Sequence, residues 1–341
     1  MKAIRFHEHG GPEVLRYEDA PDPVARPGWV VVRVRACALN HLDLFQRNGI
    51  ERVRIPLPHI SGADVAGEIV AGHQEIGLDA GDRVMLQPGL SCGECERCRA
   101  GEDNFCAQYD VLGYQSDGGY AELVTVPAAN VIRLPPNIPF EAAAAFPLVF
   151  LTAWHMLVTR AKLVRGETVL VIAAGSGVGH AAIQIAKVHG ARVIATAGGD
   201  RKLALARQLG ADDVIDHYQE DFARRVRTLT HGRGVDVVVE HVGEATWDRS
   251  MRCLARGGRL VTCGATTGHQ ASLDLRHLFA RQLSILGSYM GAKADLLRAA
   301  ALFFEEKLHP VVDRTFPLSE TAQAQTRLEC SDQFGKIVLV V

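Results

Sequence analysis

A glycine-rich turn between an apolar run and a helical segment constrains this chain more than any other feature. The stretch VLVIAAGSGVGHAAIQIAK starts at Val169, and its β-branched beginning predicts a buried strand that ends at Ala174. A glycine turn and then a helix follow at once. Glycines at such a turn let the backbone approach a pyrophosphate, which binds the free N–H groups at the helix N-terminus. The candidate residues are Gly175, Ser176, Gly177, Val178 and Gly179.

The glycine turn lies within a series of alternating predicted strands and helices, which supports its assignment as a dinucleotide site. From Glu167 onward, short apolar runs alternate with helical segments that close at Gly190 and Gly210. The runs read TVLVIAA, RVIATA, DVIDH, VDVVVEHV, GGRLVTCG and LSILGS. Six such strands with helical crossovers predict a doubly wound parallel α/β sheet, with ligands at the carboxyl ends of its strands. Val242 and Gly264 follow two later strands and are further cofactor-binding candidates. A tight turn without a ligand is the alternative.

The residues after the second strand indicate which dinucleotide binds. NAD sites place an Asp or Glu about 20 residues beyond the glycine turn, where it binds the ribose hydroxyls. This chain has no carboxylate there and carries cations shortly afterwards, which favours a 2′-phosphate and therefore NADP(H), with NAD(H) as the alternative. The candidate residues on the adenosine side are Ala197, Gly198, Arg201, Lys202 and His217.

The first part of the chain has a different residue pattern. Residues 1–138 read as short strands with Gly and Pro turns, which predicts a mostly β domain of barrel type. The Pro-rich stretch RLPPNIPFEAAAAF then leads into a helix near Phe140. We therefore assign residues 139–289 to a dinucleotide-binding domain. We expect residues 290–341 to return to the first domain through the final strand GKIVLVV.

Composition excludes several classes of partner. The net charge is -2, so no basic surface suggests nucleic acid or an anionic membrane. The stretch MKAIRFHEHGG has no apolar run after its positive charges, so we expect no signal peptide. The sequence also has no run of about 18 apolar residues. We expect a cytoplasmic protein that acts on a small molecule.

Four of the eight cysteines lie in one segment, residues 91–106. Cys92, Cys95, Cys98 and Cys106 are spaced C-x2-C-x2-C-x7-C, and clustered cysteines in a reducing compartment bind metal more often than they form disulfides. Four thiolates make a closed tetrahedral zinc site. An iron–sulfur cluster fits less well because the fourth cysteine comes late and no Pro follows it. An empty or oxidised loop is the other alternative. We expect the remaining cysteines to be small buried residues, namely Cys37, Cys253, Cys263 and Cys330.

Taken in order along the chain, these motifs resemble the medium-chain dehydrogenase/reductase superfamily. GDRV with CGECERCRAGEDNFC, followed by AAGSGVG with AAIQIAK, carries the resemblance over essentially the whole length. It implies a GroES-like catalytic domain, a Rossmann domain, an active site in the cleft between them and a homodimer or homotetramer. It also implies one structural Zn²⁺ on the four cysteines. The superfamily includes zinc alcohol dehydrogenases and zinc-free quinone and enone reductases.

Zinc alcohol dehydrogenases of this superfamily hold a second, catalytic zinc, and here its ligands are missing. The resemblance places the three ligand positions at Asn40 in ACALNHLDL, Ala63 in GAD and Leu148 in FPLVFLTAW. A site rebuilt from other residues is the alternative, and the candidates are Cys37, His41 and His59.

Loss of that zinc changes which reaction is easy. Oxidation of an alcohol benefits from a Lewis acid, whereas hydride addition to a conjugated carbon leaves the charge on a weakly basic enolate or phenolate. We predict an NADPH-dependent reductase of quinones or α,β-unsaturated carbonyl compounds. An NAD(P)-dependent zinc-type alcohol dehydrogenase and a non-catalytic NADPH-binding protein are the alternatives.

Three residues are candidates for the catalytic chemistry. Asn40 offers an amide donor at the former metal position, although it could instead stabilise a turn. Asp43 could orient Asn40 or His41. Tyr289, after the last strand of the parallel sheet, could be a proton donor or a wall residue.

Overall fold

The computed structural model describes residues 1–24, 26–51, 53–71 and 77–341. They form two compact units. The first consists of Met1–Leu148, Ala292–Leu296 and Pro310–Val341, and the second of Val149–Gly291 and Leu297–His309. These units differ from the predicted domains at three places: residues 139–148 belong to the first unit, and residues 290–291 and 297–309 belong to the second.

The elements follow one another along the chain in two blocks and a return. The first block contains β1 (Lys2–Arg5), β2 (Arg16–Asp19), β3 (Trp29–Ala38), α1 (His41–Asn48), β4 (Asp64–Ala71), β5 (Arg83–Leu86), β6 (Gly89–Leu90), α2 (Glu96–Arg99), β7 (Asp110–Val111), β8 (Leu123–Pro127), β9 (Val131–Arg133), α3 (Phe140–Ala144) and α4 (Pro147–Trp154). The second contains β10 (Thr168–Val171), α5 (Gly177–Val188), β11 (Arg192–Ala197), α6 (Asp200–Gln208), β12 (Asp213–Asp216), α7 (Phe222–Leu229), β13 (Val235–Glu240), α8 (Glu244–Cys253), β14 (Leu254–Thr262), α9 (Leu275–Ala280), β15 (Ser284–Gly287) and α10 (Lys293–Phe304). The return contains β16 (Val312–Pro317), α11 (Thr321–Glu329) and β17 (Lys336–Val340).

The larger sheet of the first unit gathers four polar residues at one edge. Its strand order is β16-β17-β3-β4-β5-β9, and β8 also pairs with β3. Because β17, β3, β4 and β5 are antiparallel to one another in turn, the start of β17, the end of β3, the start of β4 and the end of β5 meet at the same edge. The residues at or just beyond these strand ends are Lys336, Asn40, Asp64 and Gln87.

The sheet of the second unit confirms the predicted doubly wound α/β fold. Its six parallel strands have the order β12-β11-β10-β13-β14-β15. The strand order reverses at β10, and the glycine turn follows β10 directly. This reversal is the point at which open parallel sheets bind ligands.

Two further sequence expectations can be compared with the described residues. Within those ranges, no helix is both long and apolar enough to cross a membrane. The expectation that the isolated cysteines are buried holds for Cys37 and Cys253. It is wrong for Cys330, which is exposed after the end of α11, and Cys263 is only partly buried.

Candidate active site

The four clustered cysteines have the geometry of a tetrahedral metal site. Cys92 Sγ lies 3.8 Å from Cys98 Sγ and 3.5 Å from Cys106 Sγ, and Cys95 Sγ lies 3.5 Å from Cys98 Sγ. A zinc ion with Zn–S bonds of about 2.3 Å requires sulfur atoms about 3.8 Å apart. Hydrogen bonds from the backbone N–H groups of Glu94 and Cys95 lower the pKa of Cys92 to about 6, which favours the thiolate that a metal needs. The cluster fits zinc, which would brace this loop and leave no coordination position for a substrate.

A buried ion pair lies where the ligands of a catalytic zinc are expected. Lys336 Nζ donates to Asp64 Oδ2 at 2.9 Å and to Asn40 Oδ1 at 2.6 Å. Asn40 Nδ2 donates to the same Asp64 oxygen at 2.9 Å, and the backbone N–H of Leu148 donates to Asp64 Oδ1 at 2.7 Å. Lys336 is 2% exposed and Asp64 is fully buried. We call Lys336, Asp64 and Asn40 the ammonium cluster.

Neither the ammonium cluster nor the three expected ligand positions fit a catalytic zinc. Ala63 and Leu148 carry no donor atom in their side chains, and Asn40 Oδ1 is already an acceptor for Lys336. Both carboxylate oxygens of Asp64 also accept hydrogen bonds already, Oδ2 from Lys336 and Asn40 and Oδ1 from the Leu148 backbone.

Asp43 lies behind the ammonium cluster and fixes its backbone. Its Oδ2 accepts from the Asn40 backbone N–H at 2.8 Å and from the Tyr120 hydroxyl at 2.6 Å. Burial raises the pKa of Asp43 to about 6, although the two hydrogen bonds oppose that shift. The structure therefore brings Asn40 and Asp43 together, with Asp43 as the residue that orients Asn40.

The three residues considered for a rebuilt zinc site do not come together around a metal. The ring centroid of His41 lies 6.4 Å from that of Phe45, on the same helix. Cys37 is fully buried in the core, and burial raises its thiol pKa well above the usual value. His59 Nε2 lies 3.0 Å from the Gly113 carbonyl oxygen, and burial lowers the pKa of its imidazole. Among the residues that the structure describes, the four cysteines are the only group of three or more His, Cys, Asp or Glu side chains placed to share a metal.

The glycine turn has the features that a pyrophosphate needs. Ser176 caps α5, and its Oγ accepts from the Gly179 N–H at 2.8 Å. A Cβ at Gly179 would lie 2.3 Å from the Ala173 carbonyl oxygen, so the close approach of strand and helix requires glycine there. The turn fits a dinucleotide, whose pyrophosphate the first N–H groups of α5 would bind.

The side chain of His241 lies beside this turn, a contact that the sequence did not predict. Its Nε2 lies 3.1 Å from Ser176 Oγ. Burial lowers the pKa of His241 and so favours the neutral ring. In that state Nε2 can accept a hydrogen bond from the Ser176 hydroxyl. Val242 and Gly264, which were predicted to bind the cofactor, contact neighbouring residues at the same edge of the sheet. The Val242 N–H donates to Glu240 Oε1 at 2.7 Å, and a Cβ at Gly264 would come within 3.0 Å of the His241 carbonyl oxygen.

One carboxylate and two cations lie close enough to His217 to shift the pKa of its imidazole. Burial lowers the pKa of His217, and the positive charges of Arg249 and Lys202 lower it further, while Asp216 opposes them. A Cβ at Gly198 would lie 2.1 Å from the ring of Tyr218, an exposed side chain that would have to move aside. Ala197 is buried at the end of β11. Arg249, on α8, was not predicted from the sequence.

Tyr289 lies two residues after β15 in the second unit and is 58% exposed. The structure thus assigns the three candidate catalytic residues to different units, Asn40 and Asp43 to the first and Tyr289 to the second.

Comparisons with known proteins agree with this architecture. Residues 26–136 match the family model described as alcohol dehydrogenase GroES-like domain, and residues 177–305 match the one described as zinc-binding dehydrogenase. An NAD-dependent alcohol dehydrogenase of Sulfolobus acidocaldarius is 34% identical over 352 residues, with 100% of both chains covered. A quinone oxidoreductase of Pseudomonas aeruginosa is also 34% identical, with 99% of both chains covered. The chain belongs to the medium-chain dehydrogenase/reductase superfamily. It is therefore an NAD(P)H-dependent oxidoreductase.

Solved structures of superfamily members match the whole chain. The crystal structure of an NAD-dependent alcohol dehydrogenase superposes with a TM-score of 0.96 at 48% identity, and 100% of each chain is covered. The relatives thus include both alcohol dehydrogenases and quinone oxidoreductases.

Proposed function

We propose that this superfamily member is an NADPH-dependent reductase of quinones or α,β-unsaturated carbonyl compounds that works without a catalytic zinc. The ammonium cluster carries the proposal, because a fixed Lys336–Asp64 ion pair stands among the three positions at which the superfamily's zinc alcohol dehydrogenases hold the metal. Chemistry that needs strong polarisation of an alcohol oxygen is then disfavoured. Reduction of a conjugated system is favoured, since its negative charge is delocalised.

The chain's own residues would bind the cofactor and stabilise charge on the substrate. When bound, the dinucleotide supplies a hydride, with its two electrons, to the conjugated carbon, and the substrate oxygen takes the negative charge and then a proton. One Asn40 Nδ2 proton is committed to Asp64, whereas the other faces the Ala38 carbonyl oxygen at a long 3.5 Å. We infer that this second N–H donates to the substrate oxygen. Asp43 would hold Asn40 in place, and Tyr289 is the proposed proton donor.

NADPH is the proposed cofactor because of the charges around His217. No carboxylate stands at Ala197 or Gly198 to receive ribose hydroxyls, and the nearest one along the chain, Asp200, is the first residue of α6. Lys202 and Arg249 both act on the imidazole of His217. A 2′-phosphate placed there would meet two cations, and charge-assisted contacts of this kind are the strong ones. Arg201, next to Lys202 in sequence, adds to the positive charge.

The competing function is an NAD(P)-dependent alcohol dehydrogenase, which the similarity to the 48% identical NAD-dependent alcohol dehydrogenase favours. A substrate panel separates the two functions. NADPH and NADH oxidation would be followed with quinones, enones, enoyl thioesters and aldehydes. We expect turnover of quinones or enones with NADPH. Turnover confined to aldehydes would overturn the proposal.

We also propose that the enzyme is a homodimer or homotetramer of the cytoplasm, where the cysteine thiolates would stay reduced. Support for assembly comes from the edge of the parallel sheet. Strand β15 ends the strand order, and nearby Leu275 and Phe279 on α9 are 64% and 69% exposed. Analytical ultracentrifugation tests this, and a monomer at micromolar concentration would contradict it.

A further inference from the structure

The side chain of His241 reaches the glycine turn from the neighbouring strand. His241 follows β13 directly, and its Nε2 lies 3.1 Å from Oγ of Ser176, the residue that caps α5. The same Ser176 oxygen accepts from the Gly179 N–H at 2.8 Å. The Ser176 hydroxyl therefore lies between an imidazole and the first turn of the helix.

Glu240 fixes the backbone that carries His241. Its carboxylate is fully buried and accepts hydrogen bonds from four groups that follow it in the chain. The donors are the N–H groups of Val242 and Gly243, at 2.7 and 3.2 Å, and the hydroxyl groups of Thr246 and Ser250, at 3.0 and 2.6 Å. Because these groups hold the chain on both sides of His241, the imidazole has a fixed position beside Ser176.

The hydrogen-bond capacity of Ser176 makes it sensitive to a proton on this ring. A serine hydroxyl donates one hydrogen bond and accepts two. Opposite a neutral ring with its proton on Nδ1, Ser176 donates to Nε2 and accepts from Gly179. A protonated ring donates from both of its nitrogens, so Ser176 then accepts from His241 and from Gly179. The hydroxyl proton of Ser176 is left for a third partner.

The start of α5 is where such a partner would bind. Gly177 and Val178 supply the first N–H groups of α5, which have no acceptor within the helix. Both residues and Ser176 are partly exposed, so a ligand can reach them. Anions bind at helix ends of this kind, and a glycine turn that follows a strand accepts the pyrophosphate of a dinucleotide.

The titratable groups around the imidazole come from three elements. Burial lowers the pKa of His241, and the negative charge of Glu240 on β13 opposes that shift. After β14, burial raises the pKa of Cys263 to about 12, so its thiol stays neutral. On α5, His180 Nδ1 lies 3.2 Å from the carbonyl oxygen of Ser176, not from its hydroxyl. Among the described side chains, His241 is thus the titratable one in contact with the Ser176 hydroxyl.

We propose that His241 is a positioning residue whose protonation turns the Ser176 hydroxyl toward the pyrophosphate of the dinucleotide. A solvent proton binds Nε2, which then donates to Ser176 Oγ. The hydroxyl keeps its own proton and donates to a phosphate oxygen instead of the imidazole. The protonated state thus offers the pyrophosphate one more donor and a nearby positive charge. By linkage, His241 binds its proton more tightly in the dinucleotide complex than in the free protein.

Isothermal titration calorimetry of the full-length, zinc-loaded enzyme with NAD⁺ tests this between pH 5 and pH 8. NAD⁺ is the probe because its pyrophosphate keeps its charge over this range, whereas the 2′-phosphate of NADP⁺ titrates at about pH 6. We expect the Kd of wild type to fall about 10-fold from pH 8 to pH 5 relative to His241→Gln, whose amide hydrogen-bonds without titrating.

His189→Gln is the matched control for a histidine lost from the same unit. His189 lies at the other end of α5, and its Nδ1 is 2.8 Å from the Ile185 carbonyl oxygen. The pH dependence of its Kd should follow wild type. Equal pH dependence in wild type and in His241→Gln would overturn the proposal.

Ser176→Gly separates the effect of the hydroxyl from that of the ring charge. Glycine is tolerated at a helix N-cap and has no hydroxyl. The variant should lose most of the pH dependence, and His241→Gln should add nothing in this background. A pH dependence that survives in Ser176→Gly would overturn the proposal, because the charge of the ring alone would then explain it.

NMR of protein with ¹⁵N-labelled histidine gives a readout that needs no turnover. The His241 signal is assigned by its absence in His241→Gln. We expect the neutral ring to carry its proton on Nδ1, and saturating NAD⁺ to raise the pKa of His241 by about 1. A neutral ring with its proton on Nε2, or a pKa that binding leaves unchanged, would contradict the proposal. These measurements rest on dinucleotide binding alone, so turnover confined to aldehydes would overturn the proposed function and leave them unaffected.

Discussion

The ammonium nitrogen of Lys336 lies 2.9 Å from Oδ2 of Asp64, and both side chains are buried. An intact buried ion pair adds little to the free energy of unfolding, because the cost of desolvating both charges offsets most of their attraction. Removal of one partner, in contrast, leaves an uncompensated charge in the interior. Each member of the ammonium cluster thus depends on the others.

Replacement of Lys336 alone should be strongly destabilising. We expect Lys336→Met to lower the free energy of unfolding by about 3–5 kcal/mol, because Asp64 keeps a buried charge without its cation. The double variant Lys336→Met with Asp64→Leu should recover most of the loss. Urea denaturation measures both. A loss below about 1 kcal/mol in the single variant would show that the pair is not buried as described.

The contribution of Asp43 to stability should depend on pH with a defined sign. Burial raises its pKa from 3.8 to about 6. Between these values the folded chain binds a proton that the unfolded chain has released, so this group stabilises the fold at low pH and that stability is lost as the pH rises to about 6. Relative to wild type, Asp43→Asn should gain about 2 kcal/mol between pH 4 and pH 7. Urea unfolding of both proteins across this range checks the prediction. Parallel pH curves would contradict it.

Lys202 and Arg249 should determine the preference for NADPH. We expect Lys202→Ala and Arg249→Ala each to raise the KM for NADPH about 10-fold, because a charge-assisted contact to the 2′-phosphate is lost. The KM for NADH should not change. Arg252→Ala is the control, because Arg252 lies on α8 with Arg249 but forms a surface ion pair with Asp248. Equal effects on both cofactors would show that the two cations do not contact the 2′-phosphate.

The cysteine loop should hold zinc through all four thiolates. Cys98→Ala removes one ligand, and we expect the zinc content of the purified protein to fall by about one ion per chain, with a lower Tm. Cys330→Ser, at an exposed thiol, should change neither quantity. Full zinc content in Cys98→Ala would contradict the four-cysteine site.

The fold and the cofactor turn could be predicted from the sequence because their signals are local. Strand-length apolar runs, helix-closing glycines and the Gly175–Gly179 turn all lie within short windows. The ammonium cluster could not be predicted in this way, since Lys336 and Asp64 are 272 residues apart and meet only through the pairing of β17, β3 and β4. The sole local hint is Lys336, a charged residue at the start of the otherwise apolar strand β17.

Zinc stoichiometry of wild type tests the central claim most directly. Inductively coupled plasma mass spectrometry of the purified enzyme, with protein concentration fixed by amino-acid analysis, counts the ions in each chain. We predict one zinc per chain, held by Cys92, Cys95, Cys98 and Cys106. Two zinc ions per chain would contradict the assignment of the second site to the Lys336–Asp64 pair.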